Sequence, residues 1–172
     1  MVKKVGKIFK LLTSIAVAVI VALAMLLVGV RLFGLQVYTV LSGSMEPNYK
    51  TGSLIYVKDV DPLELSVDDV ITFKLSENTT ATHRIIDIVS SEENNNEISF
   101  QTKGDANDTP DGSLVDSEDV IGVPIFTIPY LGYVASFIQR PPGMYISIAI
   151  SVILILFVFI GDIFTEDKKA KK

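Results

Sequence analysis

The sequence predicts a mainly β fold: an antiparallel β-sheet domain flanked by two transmembrane α-helices. Two long apolar runs lie near the ends of the 172-residue chain. Roughly a hundred residues separate them, enough to bury about 60% of their unfolded surface and fold unaided. Within that middle part, short β-branched and aromatic segments alternate with turn-rich ones. Charge is segregated as well: residues 1–31 hold five basic groups and no acid, whereas residues 38–140 hold six basic against seventeen acidic groups.

In chain order, residues 1–10 form a basic tail and residues 11–33 the first expected helix. From Leu11 to Val30 only Thr13, Ser14 and Gly29 depart from strong hydrophobicity. Twenty such residues in a helix reach about 30 Å, the hydrocarbon thickness of a bilayer. A cleaved signal peptide is the competing reading, given the basic start and the Ala-x-Ala triplets at 16–18 and 22–24. The run is longer than a signal peptide's apolar region and the triplets lie inside it, which favours an anchor. Residues 34–140 follow as an extracytoplasmic β-rich domain, with strands expected at 37–41, 53–58, 70–74, 82–89, 97–102 and 120–126. The segments between them are rich in Asn, Asp, Ser, Pro and Gly, and the Ser-Glu-Glu-Asn-Asn-Asn run at 91–96 reads as an exposed hairpin tip. A second helix is expected over 141–164, then a basic tail at 165–172 with lysines at 168, 169, 171 and 172. Positive residues flank the outer end of both apolar runs. By the positive-inside rule both termini are cytoplasmic and the protein is a multi-pass component of the plasma membrane.

Composition excludes several chemistries. With no cysteine and a single histidine, thiolate catalysis and disulfides are absent and a zinc site would need carboxylates for its other ligands. No metal or other cofactor is expected. An acidic domain without clustered Lys and Arg is not a nucleic-acid binder.

One stretch stands out, Tyr38-Thr39-Val40-Leu41-Ser42-Gly43-Ser44-Met45-Glu46-Pro47. A β-prone run stops at Ser-Gly-Ser, where Gly43 permits a bend, and Pro47 keeps Glu46 out of a continuing helix. Ser44 is the candidate nucleophile. Ser-Gly-Ser is also ordinary turn composition, so the assignment needs a base. The only histidine, His83, lies in the strand-like Ala81-Thr82-His83-Arg84-Ile85-Ile86, and imidazole is the usual base for serine near neutral pH. The uneven apolar pattern at 85, 86 and 88 leaves its face undetermined. A third group would orient the imidazole. Asp87 is close in sequence, but four residues of strand span about 13 Å, beyond hydrogen-bond reach. The loop Lys103-Gly104-Asp105-Ala106-Asn107-Asp108-Thr109-Pro110-Asp111-Gly112 offers three other carboxylates, and it lacks the spacing and terminal Glu of an EF-hand. Asp105, Asp108 and Asp111 all stand as candidate partners for His83 on these grounds. Val37, Val40, Leu41 and Ile85 suit either a pocket lining or the core. Phe126 to Val134, with Tyr130 and Tyr133, suits either core packing or a membrane-interface anchor.

Ser-Gly-Ser-Met-Glu-Pro after an N-terminal apolar run, His-Arg-Ile about forty residues later, and Lys-Gly-Asp-x-Asn followed by another Asp together resemble the type I signal peptidases. The match is to the endoplasmic-reticulum and archaeal type that also occurs in some Gram-positive bacteria. In the commoner bacterial branch a lysine stands where His83 stands. The resemblance covers the first apolar run to about Tyr133. It implies an antiparallel β-sheet catalytic domain and a serine endopeptidase that cuts signal peptides from exported preproteins at the outer membrane face. Its partners would be those signal peptides, the lipid bilayer and the translocation machinery. Carried over, Ser44 is the nucleophile, His83 the general base, Asp111 the catalytic acid and Asp105 a supporting aspartate. Ser42, with the Ser44 N–H, matches an oxyanion-hole position. The family loop usually reads Gly-Asp-Asn-Asn, whereas Ala106 removes one side-chain hydrogen-bonding group here. Two rivals are a self-cleaving repressor-like peptidase, disfavoured by the two apolar runs and the lack of a DNA-binding segment, and a catalytically inactive, membrane-tethered β domain that binds exported proteins.

Overall fold

The structure, a computed structural model, describes residues 2–77, 79–90 and 98–166, with side chains described between Leu11 and Phe157. The expected hairpin tip at 91–96 and the lysines at 168, 169, 171 and 172 lie outside the described residues. The chain divides into two compact units, the helical segments at its two ends and the stretch Val30–Ser136.

The stretch Val30–Ser136 is built on one antiparallel sheet. Its strands are β1 (Leu35–Thr39), β2 (Leu54–Lys58), β3 (Val70–Ser76), β4 (Thr79–Ser90), β5 (Ile98–Lys103), β6 (Val115–Asp116) and β7 (Val120–Ile128). Their order across the sheet is β1-β2-β7-β3-β4-β5-β6. Five of the expected strands recur with ends moved by a few residues. The run expected at 37–41 starts earlier and stops at Thr39, and the two-residue β6 carries too little pattern to be read from sequence.

Burial alternates along β5, where Phe100 and Thr102 are buried and Gln101 between them is not. Ile71 and Phe73 of β3, Ile85 of β4, Phe100 of β5 and Val115 of β6 meet Leu65 in one buried cluster. Burying each such side chain stabilises the fold by about 1.5–3 kcal/mol. In β2 four consecutive residues, Leu54 to Val57, are buried, as expected of a strand covered on both faces. Ile85 therefore belongs to the core and takes no part in a substrate pocket.

Two irregularities shape the sheet. In β4 the pairing with β5 runs Arg84↔Lys103 and Ile85↔Thr102, then resumes at Asp87↔Gln101, so Ile86 is an inserted bulge residue. That extra residue is why the apolar pattern at 85, 86 and 88 does not alternate. In β7 the chain pairs with β3 through Val120 and Gly122 and with β2 through Val123 to Ile128. The change of partner passes through Gly122 at φ +144°, where an added Cβ would lie 2.0 Å from the Lys58 carbonyl oxygen.

Among the described residues there are also three α-helices: α1 (Val2–Leu27), α2 (Leu131–Gln139) and α3 (Gly143–Glu166). The first ends before Gly29, a poor helix former, and the chain continues as a 3-10 turn over Gly29–Phe33. The helix α2 stops ahead of Arg140-Pro141-Pro142, as the restriction on residues preceding proline requires. Among the described residues no single helix is long and apolar enough to cross a membrane. Leu11–Leu27 is a shorter apolar helix, and Leu131–Gln139 with Gly143–Phe157 meets the length and composition criteria only as a broken pair. The two uninterrupted spans expected at 11–33 and 141–164 are not shown by these helices.

Candidate active site

Three segments distant in sequence converge at one end of the sheet. The first is the turn after β1. Val40 N–H donates to the Ser53 carbonyl and Gly52 N–H to the Val40 carbonyl, so the chain leaves the sheet only after residue 40. Glu46 N–H then donates to Gly43 O, closing a tight turn over Gly43 to Glu46. Met45 is buried beneath this turn, which leaves the neighbouring Ser44 half-buried with its hydroxyl in the groove. The Glu46 carboxylate accepts from Thr51 Oγ1 at 3.3 Å and fastens the far side of the turn.

The second segment is the first half of β4. His83 pairs with Ile71 of β3 and shares a strand face with Ala81 and Ile85. The Phe73 ring meets the imidazole edge-on, centroids 6.2 Å apart. The ring is thereby packed on one side and 14% exposed overall.

The third is the acid loop after β5. Asp111 N–H donates to Thr102 O at 2.8 Å and Gln101 Nε2 donates to Asp111 O at 2.8 Å. These bonds bring the loop's far end back onto the strand it left.

The side chains form a continuous hydrogen-bonded series. Ser44 Oγ lies 3.1 Å from His83 Nε2, and His83 Nδ1 lies 2.5 Å from Asp111 Oδ2. A carboxylate only accepts, so Nδ1 carries the imidazole proton and Nε2 is left to accept from the serine hydroxyl. Ser42 Oγ stands 3.2 Å from Ser44 Oγ. With the Ser44 proton directed at Nε2, Ser42 is the donor in that pair. Chemically, this set can deprotonate a serine hydroxyl as it attacks a carbonyl and hold the resulting imidazolium against a carboxylate.

Asp105 sits apart from this series. It accepts a two-pronged ion pair from Arg84, Nε to Oδ1 and Nη2 to Oδ2, each at 2.8 Å, and a hydrogen bond from Asn48 Nδ2 at 2.7 Å. The Arg84 hydrogen bonds hold the Asp105 carboxyl below the usual carboxylate value, against a smaller opposing effect of burial, with Asn48 adding to the depression. Arg84 Nη1 also donates to Asp68 O. Ala106 N–H donates to Ser44 O at 2.8 Å and Asp105 N–H points at Met45 Sδ. The loop with Ala106 in place of the family's Asn is therefore tied to the serine turn through backbone and through Asn48.

Of the residues singled out from sequence, Ser42, Ser44, His83 and Asp111 lie together, and Asp105 braces the same loop without touching His83. Asp87 faces solvent and accepts from the Ile88 N–H. Sequence reasoning passed over Thr102, Asn48 and the side chain of Arg84. A readable signal existed for Thr102, since Ile98, Phe100 and Thr102 alternate inward along β5 and a hydroxyl at an inward position needs a partner. Among the described residues no group of three or more His, Asp or Glu side chains gathers to hold a metal ion.

A groove of about 340 Å³ opens over Ser44 and His83. One wall is Tyr38 to Ser42 and the other is Thr79 to Thr82. Val40 and Leu41 line it, whereas Val37 lines a separate depression beside Arg31 and Gly34. Its β4 wall is paired with β3 on one side, while pairing with β5 begins only at Arg84. Among the described residues, the other backbone edge of Thr79 to His83 has no strand partner in the sheet.

A mainly antiparallel β domain with a serine, a histidine and an aspartate in hydrogen-bonded series under a groove has the makings of a serine hydrolase. Residues 11–97 match the family model described as signal peptidase, peptidase S26, which takes in Ser44 and His83. The chain belongs to that family. Among curated relatives, signal peptidase I W of Bacillus subtilis is 48% identical over 89 residues, 51% of this chain and 45% of the relative. The human signal peptidase complex catalytic subunit SEC11C is 30% identical over 114 residues, 62% of this chain and 58% of the relative. The corresponding SEC11 subunit of Plasmodium falciparum is 29% identical over 133 residues, 73% and 69% of the two chains. The alignments with the Bacillus and human relatives thus span about half the length of those proteins.

Proposed function

We propose that the protein is a membrane-bound signal peptidase that cleaves signal peptides from exported preproteins by serine endopeptidase chemistry. The observation that carries this reading is the uninterrupted series from Ser44 Oγ through both nitrogens of His83 to Asp111. Family membership and the activity that the relatives are named for support it.

In the proposed reaction Ser44 Oγ attacks the scissile carbonyl carbon while Nε2 of His83 takes the hydroxyl proton. Asp111 stabilises the imidazolium through Nδ1–H. The Ser44 N–H and the Ser42 hydroxyl receive the developing oxyanion, an interaction worth about 10² to 10³ in rate per donor. Collapse of the tetrahedral intermediate expels the amine, which receives the proton from Nε2, and leaves the acyl group on Ser44. A water molecule, deprotonated by the same imidazole, attacks the acyl carbon and frees the serine. Asp105 acts as a brace for the loop that carries Asp111.

An extended substrate segment fits the groove as an added strand. The open backbone edge of Thr79 to His83 offers hydrogen bonds in the manner of β-augmentation, and Val40 and Leu41 supply apolar contact on the facing wall. The two apolar end segments would hold the domain at a bilayer, with both termini cytoplasmic and residues 34–140 outside. Signal peptides, lipid and the translocation machinery are then the expected neighbours.

The test is cleavage of a labelled preprotein by the full chain in detergent. Ser44→Ala and His83→Ala should each abolish product with unfolding temperatures unchanged. A Ser44→Ala protein that cuts at the wild-type rate overturns the reading. A wild-type chain that retains substrate without shortening it is the inactive binding domain instead.

A further inference from the structure

We infer that the hydroxyl of Thr102 is a positioning group for catalysis, acting through Asp111. The inference rests on the peptidase reading above and adds a residue to it. Thr102 lies at the end of β5, fully buried, and is absent from the lining of the groove. Its Oγ1 donates to Asp111 Oδ2 at 2.6 Å. That oxygen is the one that faces His83 Nδ1.

Three bonds therefore fix Asp111 to two consecutive residues of β5. Its N–H is held by Thr102 O, its carbonyl by Gln101 Nε2, and its carboxylate by Thr102 Oγ1. The first two set where the backbone of residue 111 lies. Only the third sets the rotation of the carboxylate about its side-chain bonds. Without it, terminal carboxylate torsions are broad, and the oxygen aimed at Nδ1 is held by the His83 bond alone, on a side chain that is 24% exposed. A hydrogen bond to a charged acceptor is worth more than a neutral one, so the hydroxyl is well suited to the task. The alternative assignment, that Thr102 simply fills space in the core between Ile85 and its neighbours, makes the opposite demand: it needs the methyl and is indifferent to the hydroxyl.

Two substitutions in the full-length protein separate these roles. Thr102→Val keeps the shape and removes the donor, whereas Thr102→Ser keeps the donor and removes a methyl. Steady-state cleavage of a labelled preprotein, together with unfolding temperatures, is the measurement. The expected result for Thr102→Val is a fall in kcat of about 10- to 100-fold, the equivalent of one hydrogen bond to a charged group. Its KM should stay within about twofold, because Thr102 does not line the groove. Thr102→Ser should keep kcat within about threefold of wild type. In an Asp111→Asn background, Thr102→Val should cost nothing further, since the carboxylate it orients is gone. A Thr102→Val protein with wild-type kcat beside a Thr102→Ser protein that has lost it overturns the inference. Should the valine variant fail to fold, the serine variant decides: retained kcat upholds the hydroxyl role and a tenfold loss refutes it. Ser44→Ala run in parallel keeps the two readings separable. If it is inactive while Thr102→Val is at full rate, only the present inference falls.

Discussion

The two carboxylates at either end of the acid loop serve different partners. Asp111 meets the imidazole of His83 and Asp105 meets the guanidinium of Arg84. Their substitution should therefore separate chemistry from bracing. Asp111→Asn should lower kcat by about 10⁴, as loss of an orienting carboxylate does in other serine peptidases, with little change in unfolding temperature. Asp105→Asn should do the reverse in emphasis, losing stability at neutral pH and retaining more activity. Its stability effect has a defined pH dependence. The folded-state carboxyl is held below its ordinary value of 3.8 by Arg84, so the group binds fewer protons in the folded chain than in the unfolded one. The Arg84–Asp105 contribution is then fully present above the ordinary carboxylate range and disappears as pH falls through the lowered value. Thermal unfolding of wild type and Asp105→Asn, followed from pH 7 downward, should converge below about pH 4. A gap that stays constant to lower pH would show that Asp105 is not acting as a paired anion. At this scale the sequence was informative about residue types and poor about partners. Ser44, His83 and an aspartate were readable because serine chemistry needs a base and an orienting acid. Which aspartate meets the histidine depends on how Gln101 and Thr102 draw residue 111 back to β5, and no local pattern encodes that return.

Elements place these residues by close approach of backbone. Gly104 opens the acid loop where an added Cβ would stand 2.6 Å from the Ser44 carbonyl oxygen and 2.7 Å from Asn107 Nδ2. The serine turn and the loop consequently touch through main chain at this position, next to the Ala106 N–H to Ser44 O bond. Gly104→Ala should force them apart, costing about 1–3 kcal/mol by overpacking and reducing kcat more than stability alone explains. Circular dichroism melts paired with the cleavage assay would check this, and full activity in the alanine variant would refute it. The strands themselves were legible because β-branched and aromatic runs are separated by turn residues. The bulge at Ile86 was not, since an inserted residue mimics a break in the pattern and hides which face His83 occupies. The helix α2 was also missed. Its nine residues follow Pro129 and precede a proline pair, too short a stretch for helical periodicity to outweigh those markers.

At the scale of the whole molecule, the peptidase site is made from the serine turn, β4 and the end of β5, all within the stretch Val30–Ser136. Its order along the chain has a temporal meaning. Synthesis supplies Ser44 first, His83 next and Asp111 last, and β4 cannot acquire its outer neighbour until β5 follows. Strand β7, which joins β2 to β3 in the sheet, follows all three residues, so a chain still being made carries these side chains without the sheet that brings them together. The proposed site can therefore assemble only once β7 has been made. Released chains truncated ahead of β7, compared with the full chain for cleavage of an added preprotein, should be inactive, and cleavage by the truncated chain would refute this order.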